Sequence, residues 1–255
     1  MFETVTVTTS GAVGRLTLNR PGQLNALSTQ VLRDLTAAAQ WFDEQQDVRV
    51  VIVGGEGRVF CAGADLSGFP TPEDPGLRRA AEAGLAMAAA VENMQALTIA
   101  QLHGWCIGGG LVLATACDLR IASQGTRFSI PEVDLGVPLG WGGIERLVRE
   151  IGPARTKELV ITCRAFDAQE AQGWGLVNRV VAPADLDQQV EELAQSIAEK
   201  PRIPVTATKQ NTNAVTAQMV SLGRVRSDAD SIFVAFNDPE CCAAREAYIA
   251  AKQQK

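Results

Sequence analysis

Two glycine-containing segments carry the residue types that can stabilise negative charge on an oxygen. The first is Arg58-Val59-Phe60-Cys61-Ala62-Gly63-Ala64-Asp65-Leu66, and the second is Gly108-Gly109-Gly110. The apolar residues after the triplet predict a buried helix over 108–116, which places the glycine N–H groups at a positive dipole end. Together the two segments can direct two backbone N–H groups at one oxygen, an arrangement that suits a thioester becoming an enolate.

Glycine-rich turns can also bind dinucleotides or phosphates, or simply permit close packing. Neither GxGxxG nor GxxxxGK[ST] occurs, so the chain shows neither a dinucleotide fingerprint nor a Walker loop. For the glycine triplet alone, tight packing of a helix on a sheet is an equal alternative. Cys61 has no assignable base beside it, so we interpret it as a packing residue rather than a nucleophile.

Composition predicts a folded globule of one or two domains. The chain has 255 residues, of which 46% are hydrophobic and 20% charged, and a net charge of −6. No basic run is dense enough to follow a phosphate backbone, so we expect no nucleic-acid partner. Arg20 and Arg58 are candidates for meeting the phosphates of an anionic coenzyme, although a solvated surface role fits each equally well.

Cysteine usage and the terminus predict the compartment. The start of the chain has no signal-peptide pattern, and the longest apolar run, 106–117, is too short to span a bilayer. We therefore expect a cytoplasmic protein with no membrane partner. The six cysteines include no CxxC pair and His103 is the only histidine, so no metal site is predicted and the cysteines are expected to be buried or free.

Hydrophobic periodicity predicts strands and helices that alternate along the chain, which favours an α/β fold with a sheet covered by helices. Strands are predicted at Val5 to Val7, Leu16 to Leu18, 49–53, 99–103, 119–122 and 176–181. Helices are predicted from near Ser28 to Phe42, over 77–94, from Gly143 to a stop at Gly152-Pro153, and over 186–200. In the third of these, Ile144, Leu147, Val148 and Ile151 share one face. The Pro- and Asp-rich stretch 69–76 is predicted to be a loop.

The last part of the chain is predicted to be helical to Lys255. We place a boundary near residue 195, which gives a core of residues 1–195 and a helical section of residues 196–255. The section is too small for a substantial core of its own, so it should pack on the main domain, on a neighbouring subunit, or on both.

Several blocks of the chain closely resemble the crotonase superfamily, the enoyl-CoA hydratase/isomerase family. Their order and spacing match from about residue 3 to residue 182. The blocks are Arg20-Pro21 with Asn25-Ala26-Leu27, Phe60 to Leu66, His103 to Gly110, Cys117-Asp118, and Pro131-Glu132 through Gly142-Gly143 to Arg146-Leu147. The resemblance implies a spiral of ββα turns with a helical C-terminal trimerisation section, assembled as a homotrimer or a dimer of trimers.

The resemblance also implies the site. It predicts an acyl-CoA substrate whose thioester oxygen lies between the N–H groups of Ala64 and Gly109. Coenzyme A is then part of the substrate, and no separate cofactor is expected. The coenzyme side is implied to be lined by Ala62, Asp65, Leu66 and Ser67.

The acid–base position departs from the hydratases of the family. Those enzymes use two glutamates, whereas this chain has Glu132 at the second position and Val112 at the first. Hydration requires a carboxylate that activates water and a proton donor, whereas moving a double bond requires one base. We therefore expect conversion of 3-enoyl-CoA to 2-enoyl-CoA by Glu132, whose pKa an apolar pocket should raise.

The same blocks also fit other activities. They include a 2-enoyl-CoA hydratase that replaces the missing carboxylate, decarboxylase or thioester hydrolase chemistry, and a non-catalytic acyl-CoA binder. Trp141, where the family often has a small residue, either walls the acyl site or packs in the interior. Asp118 is interpreted as structural, and Asp134 is expected to point away from Glu132. Phe233 and Phe236 are candidates for subunit packing.

Overall fold

The computed structural model describes residues 2–68, 77–220 and 226–253. The loop predicted over 69–76 lies outside the described residues. Within them, the predicted strands and helices occur in the predicted order.

The first elements show how local sequence sets the fold. Strands β1 (Val5–Ser10) and β2 (Val13–Leu18) form a hairpin, and β2 pairs in parallel with β3 (Val50–Gly55). Between them, helix α1 (Thr29–Glu44) begins at Ser28, whose Oγ accepts a hydrogen bond from the Val31 N–H at 3.3 Å. Satisfying one of the free N–H groups in this way is the usual role of serine at a helix start.

The remaining elements follow in chain order. The strands are β4 (Leu97–Leu102), β5 (Trp105–Ile107), β6 (Leu119–Ser123), β7 (Arg127–Ser129), β8 (Phe166–Asp167) and β9 (Arg179–Val181). The helices are α2 (Leu77–Glu92), α3 (Gly109–Ala116), α4 (Gly143–Thr162), α5 (Ala168–Gly173), α6 (Leu186–Ala198), α7 (Arg202–Met219), α8 (Arg226–Asn237) and α9 (Pro239–Gln253).

The strands form two sheets. The larger has the order β1-β2-β3-β4-β6-β9, and every pair except β1–β2 is parallel. The smaller has the order β5-β7-β8, with β5 and β7 parallel. Because β4 leads into β5 and β6 into β7, successive turns give one strand to each sheet. The α/β fold and the spiral of ββα turns are thereby confirmed.

Both faces of the larger sheet are covered, so its strands are apolar on both sides. On β3, Val51 and Val53 face the core formed with α1, α2 and α3, whereas Val50 and Ile52 face the other side. There they pack, with Ile99 and Ile121, against the apolar face of α6. The alternation that predicted strands therefore also divides the core into two layers.

The C-terminal helical section is present and packs on the rest of its own chain. Helix α8 contacts α2, and Phe236 joins Leu135 and Val137 in a small apolar cluster. The predicted boundary at residue 195 falls inside α6, and the division into units 1–195 and 196–255 stays a prediction. In the described part of the chain, no helix is both long and apolar enough to cross a bilayer.

Three details of the predicted elements are wrong. Ile144 is 37% exposed, and the buried face of α4 carries Arg146 with Leu147 and Ile151. The helix is broken at Gly152, which has φ 77°, but Pro153 starts a further helical segment that reaches Thr162. Proline fits there because its fixed φ and missing N–H are tolerated in a first helical turn. The strand predicted over 176–181 is shorter, since β9 covers only its last three residues.

Candidate active site

The turn that carries Ala64 is held by hydrogen bonds on both sides. The Leu27 N–H donates to the Gly63 carbonyl at 2.8 Å, and the Asp65 N–H donates to the Leu27 carbonyl at 3.1 Å. The buried Asn25 side chain donates to the carbonyls of Val59 and Phe60 just before the turn. Among the described residues the Ala64 N–H itself has no acceptor, so it is available to a ligand.

The second turn leads into α3. Gly108 has φ 49°, its N–H donates to the Ser129 carbonyl at 2.9 Å, and its own carbonyl accepts from Leu111 and Val112. The next N–H, that of Gly109, lies in the first turn of the helix and has no acceptor in the described ranges. The positive end of the helix dipole therefore adds to the pull of this N–H on an anion.

The two turns are neighbours. The Ile107 N–H donates to the Cys61 carbonyl at 3.0 Å, and the Cys61 N–H donates to the Trp105 carbonyl at 3.0 Å. Gly63 lies so close to the Ile107 carbonyl that an added Cβ would be 2.9 Å from its oxygen. As a result, Ala64 and Gly109 line one cavity of about 350 Å³.

Cys61 is a packing residue, as the sequence indicated. Its side chain lies against Gly110, and its thiol donates to the Asn25 carbonyl at 3.1 Å. Burial raises the pKa of the Cys61 thiol to about 12, so the thiolate that a nucleophile requires is not formed near neutral pH.

Glu132 faces the same cavity from a tight turn. The Val137 N–H donates to the Glu132 carbonyl at 2.9 Å, and the carboxylate lies against Gly108. Its Oε2 is buried and has no hydrogen-bond partner in the described part of the chain. Burial raises the pKa of Glu132 from 4.5 to about 7, which suits a group that takes up and releases a proton near neutral pH.

Asp65, the other carboxylate of the cavity wall, is already engaged. The Arg20 guanidinium lies 2.9 Å from its Oδ2, and the Ser67 hydroxyl donates to its Oδ1 at 2.6 Å. Although burial alone would raise the pKa of Asp65, the hydrogen bonds from Ser67 and Arg20 outweigh it and lower that pKa. Arg20 is thus committed to this ion pair, whereas Arg58 is exposed.

The structure places some of the predicted site residues on the cavity wall and others away from it. Those that line the cavity are Ala64, Asp65, Gly109, Val112, Glu132 and Trp141. Ala62, Leu66 and Ser67 do not line it. The Ala62 N–H donates to the Leu24 carbonyl, Leu66 packs against the small apolar cluster that contains Phe236, and Ser67 is exposed. Their contact with the coenzyme stays a prediction.

Trp141 has an unusual backbone conformation for a residue with a side chain. Its φ of 61° lies in the left-handed region, which costs about 1–3 kcal/mol. The conformation is held from both sides, because Arg146 donates to the Trp141 carbonyl at 3.1 Å and the Gly142 N–H donates to Asp228 at 3.0 Å. Its indole lines the cavity and also packs against the main apolar core, so the structure shows both of the positions that the sequence left open.

Several parts of the wall were not identified from the sequence. Ser28 and Thr29 at the start of α1, and Ala80 and Ala81 on α2, also line the cavity. An alanine in a sequence does not by itself indicate a position on a cavity wall. Helix α8 contributes Ile232 and Phe236 to the wall. Phe236, which the sequence made a candidate for subunit packing, therefore packs within its own chain. The other candidate, Phe233, is 48% exposed.

The two further carboxylates that the sequence raised lie outside the cavity. Asp134 is exposed. Asp118 accepts hydrogen bonds from the Thr98 N–H and hydroxyl and pairs with Lys209 at 2.8 Å, which confirms its structural role. Across the described ranges, no three His, Cys, Asp or Glu side chains are grouped so as to hold a metal ion.

Comparison with known proteins identifies the family. Residues 8–249 match the enoyl-CoA hydratase/isomerase family. The peroxisomal Delta(3,5)-Delta(2,4)-dienoyl-CoA isomerase of Arabidopsis thaliana is 38% identical over 221 residues, covering 82% of this chain and 80% of that protein. A probable enoyl-CoA hydratase of Mycobacterium bovis is 36% identical over 223 residues, covering 87% of this chain and 86% of that protein.

A solved structure shows the same fold over the whole chain. The enoyl-CoA hydratase/isomerase of Xanthobacter autotrophicus Py2 superposes with a TM-score of 0.88 at 25% identity, covering 100% of this chain and 94% of that one. The protein is therefore an enzyme of the enoyl-CoA hydratase/isomerase family, within the crotonase superfamily.

Proposed function

We propose that this enzyme moves the double bond of a 3-enoyl-CoA to give 2-enoyl-CoA, with Glu132 as its single acid/base. The observation that carries the proposal is the state of the two carboxylates on the described cavity wall. Asp65 is paired with Arg20, whereas Glu132 has a buried oxygen without a protein partner and a pKa of about 7. One free base is what a proton shuttle requires.

In the proposed mechanism, the thioester oxygen accepts hydrogen bonds from the N–H groups of Ala64 and Gly109. Glu132 removes the proton from C2, and the electron pair of the broken C–H bond becomes the enolate. The proton then returns from Glu132 to C4, and the double bond ends between C2 and C3. Substrate and product contain the same atoms at the same oxidation level, so the reaction requires no oxidant or reductant, and the proposed step uses no metal. Each N–H group of such an oxyanion hole typically contributes about 2.7–4 kcal/mol.

Val112 argues against hydration as the main reaction. It lines the cavity at the position where the hydratases that this chain resembles have the first of their two glutamates, and, like Leu139, it packs against Gly143. An aliphatic side chain can neither orient nor deprotonate a water molecule. The names of the relatives include an isomerase and a hydratase, so the choice depends on Val112 and Glu132.

A second candidate function is 2-enoyl-CoA hydration by Glu132 alone. The observation in its favour is that the free, buried Oε2 of Glu132 can accept a hydrogen bond from water as well as from a substrate C–H. A passive acyl-CoA binder would not require a glutamate with a buried, unpartnered oxygen and a raised pKa. The predicted trimer or dimer of trimers and the cytoplasmic location stay predictions.

The proposal is tested by supplying purified enzyme with 3-hexenoyl-CoA and, separately, 2-hexenoyl-CoA. We expect the first to become conjugated, which is seen as absorbance of the enoyl thioester, and little 3-hydroxyacyl product from the second. Glu132→Gln keeps the shape of the side chain and removes the base, so it should lose conjugation by at least about 10²-fold. Full turnover by Glu132→Gln, or hydration faster than conjugation in the parent enzyme, would overturn the assignment.

A further inference from the structure

We propose that the Trp141 indole is the end wall of the acyl cavity and restricts this enzyme to short acyl chains. The inference rests on the proposed function only in that the cavity must accept an acyl-CoA. It is carried by the way in which two glycines on different helices make room for the ring.

The first glycine is on α2. This helix is rich in alanine, yet position 84 holds glycine, which is less favourable than alanine in a helix interior. A Cβ added to Gly84 would overlap the Cδ2, Cε2 and Nε1 atoms of the Trp141 indole. The missing side chain at Gly84 is therefore what allows the indole to lie against the helix backbone.

The second glycine is Gly109, whose N–H is proposed to bind the thioester oxygen. A Cβ there would overlap Cζ3 of the indole and stand 3.0 Å from its Cη2. The ring thus reaches from α2 to the first turn of α3 and fills the space between the two helices. An acyl chain that leaves the thioester carbon must therefore pass the indole or stop at it.

The backbone that carries the indole is fixed. The left-handed backbone of Trp141 is held by the hydrogen bonds that Arg146 donates to its carbonyl and that Gly142 donates to Asp228. Arg146 is itself 1% exposed and paired with Glu92. With this backbone held, the indole can move only by rotation about its own side-chain bonds, and that rotation would give up its contacts with Gly84 and Gly109.

The space that the indole occupies would, if emptied, extend the existing cavity. Ala80 and Ala81 already line it and lie four and three residues before Gly84, hence on the same face of α2. Removing the indole would expose a continuous strip of small residues. With the ring in place the cavity measures about 350 Å³, near the small end of the roughly 300–1,000 Å³ typical of ligand sites.

The experiment measures acyl-chain selectivity by binding, which does not depend on turnover. Isothermal titration calorimetry with the saturated hexanoyl-CoA and dodecanoyl-CoA gives the two dissociation constants for each variant. We expect the parent enzyme to prefer hexanoyl-CoA, and Trp141→Ala to bind dodecanoyl-CoA about tenfold more tightly than the parent does. This is the effect of burying roughly two further methylene groups. Trp141→Leu should give an intermediate shift.

A double variant that returns apolar volume to the place of the indole tests whether this volume determines the acyl-chain preference. Gly84→Leu combined with Trp141→Ala returns apolar volume to the same space from α2 and should restore the preference for hexanoyl-CoA. Trp105→Ala is the matched control, because it removes an indole that is 39% exposed and belongs to β5. It should leave the ratio of the two dissociation constants unchanged.

The possible outcomes separate the two proposals. An unchanged ratio in both Trp141→Ala and Trp141→Leu overturns the inference, as does an equal shift in Trp105→Ala. Failure of the parent to bind either acyl-CoA overturns the inference and the proposed function together. Binding with the expected selectivity, but without conjugation of 3-hexenoyl-CoA, supports the wall and overturns only the proposed function.

Discussion

The carboxylate of Glu132 lies directly against Gly108, the residue that precedes the Gly109 amide. A Cβ at position 108 would overlap Oε1 and stand 3.1 Å from the carboxyl carbon. The two parts of the proposed site, the base and the oxyanion amide, therefore depend on one residue without a side chain. Its φ of 49° adds a second requirement for glycine.

Gly108→Ala should disable the enzyme while leaving it folded. The new methyl group pushes the Glu132 carboxylate aside, and the strained φ displaces the Gly109 N–H. We expect kcat to fall by at least about 10²-fold, comparable to the loss of one oxyanion donor. The free energy of unfolding should fall by about 1–3 kcal/mol. Steady-state kinetics and urea unfolding check both values, and Gly125→Ala, at a glycine with open space around it, is the control.

The pH dependence of isomerisation should report the ionisation of Glu132. The ionised carboxylate is the base, and burial raises its pKa to about 7, so kcat/KM should rise as pH increases through about 7 and level off above it. An acidic limb centred near 4.5, the ordinary value, would show that the group that titrates is not buried. The measurement is the initial rate of conjugation between about pH 5 and 9.

The same ionisation should also change the free energy of unfolding. This free energy should fall as pH rises, whereas kcat/KM should increase. Below pH 4.5 Glu132 is protonated in both the folded and the unfolded chain. As pH rises, the unfolded chain releases this proton first, so the free energy of unfolding falls until pH passes the folded pKa of about 7. The loss amounts to about 3 kcal/mol. Glu132→Gln should therefore match the parent at low pH and exceed it near pH 8, as measured by urea unfolding. A difference that does not vary with pH would contradict this account.

Much of the fold follows from periodicity because long amphipathic elements carry a repeated signal. The start of α1 at Ser28 and the alternation on β3 are examples. Strands β5, β7 and β8 have two or three residues each, too few for a period to be visible, so no pattern predicts them. Two of them nevertheless hold the site turns: Cys61 pairs with Cys106 of β5, and Ser129 of β7 accepts a hydrogen bond from the Gly108 N–H.

The site was only partly predictable for a different reason. Ala64, Gly109 and Glu132 lie in recognisable blocks, but the cavity wall is built by contacts between distant segments. Helical spacing predicts a buried Ile144, yet Arg146, two residues on, takes the interior position. Its guanidinium finds the Glu92 carboxylate and two carbonyls there, a compensation that no spacing reveals.

Val112→Glu should add hydration to the reactions of this enzyme. Val112 lines the same cavity as Glu132, so a carboxylate at position 112 can join it in holding a water molecule. We expect 3-hydroxyacyl product from 2-hexenoyl-CoA to appear at a rate at least about tenfold above the parent, the low end of what a positioned general base contributes. Val112→Gln is the matched control, because it has the same shape and cannot act as a base. If both variants fold and hydrate equally, added polarity rather than a second carboxylate is responsible, and the single-base explanation of Val112 fails.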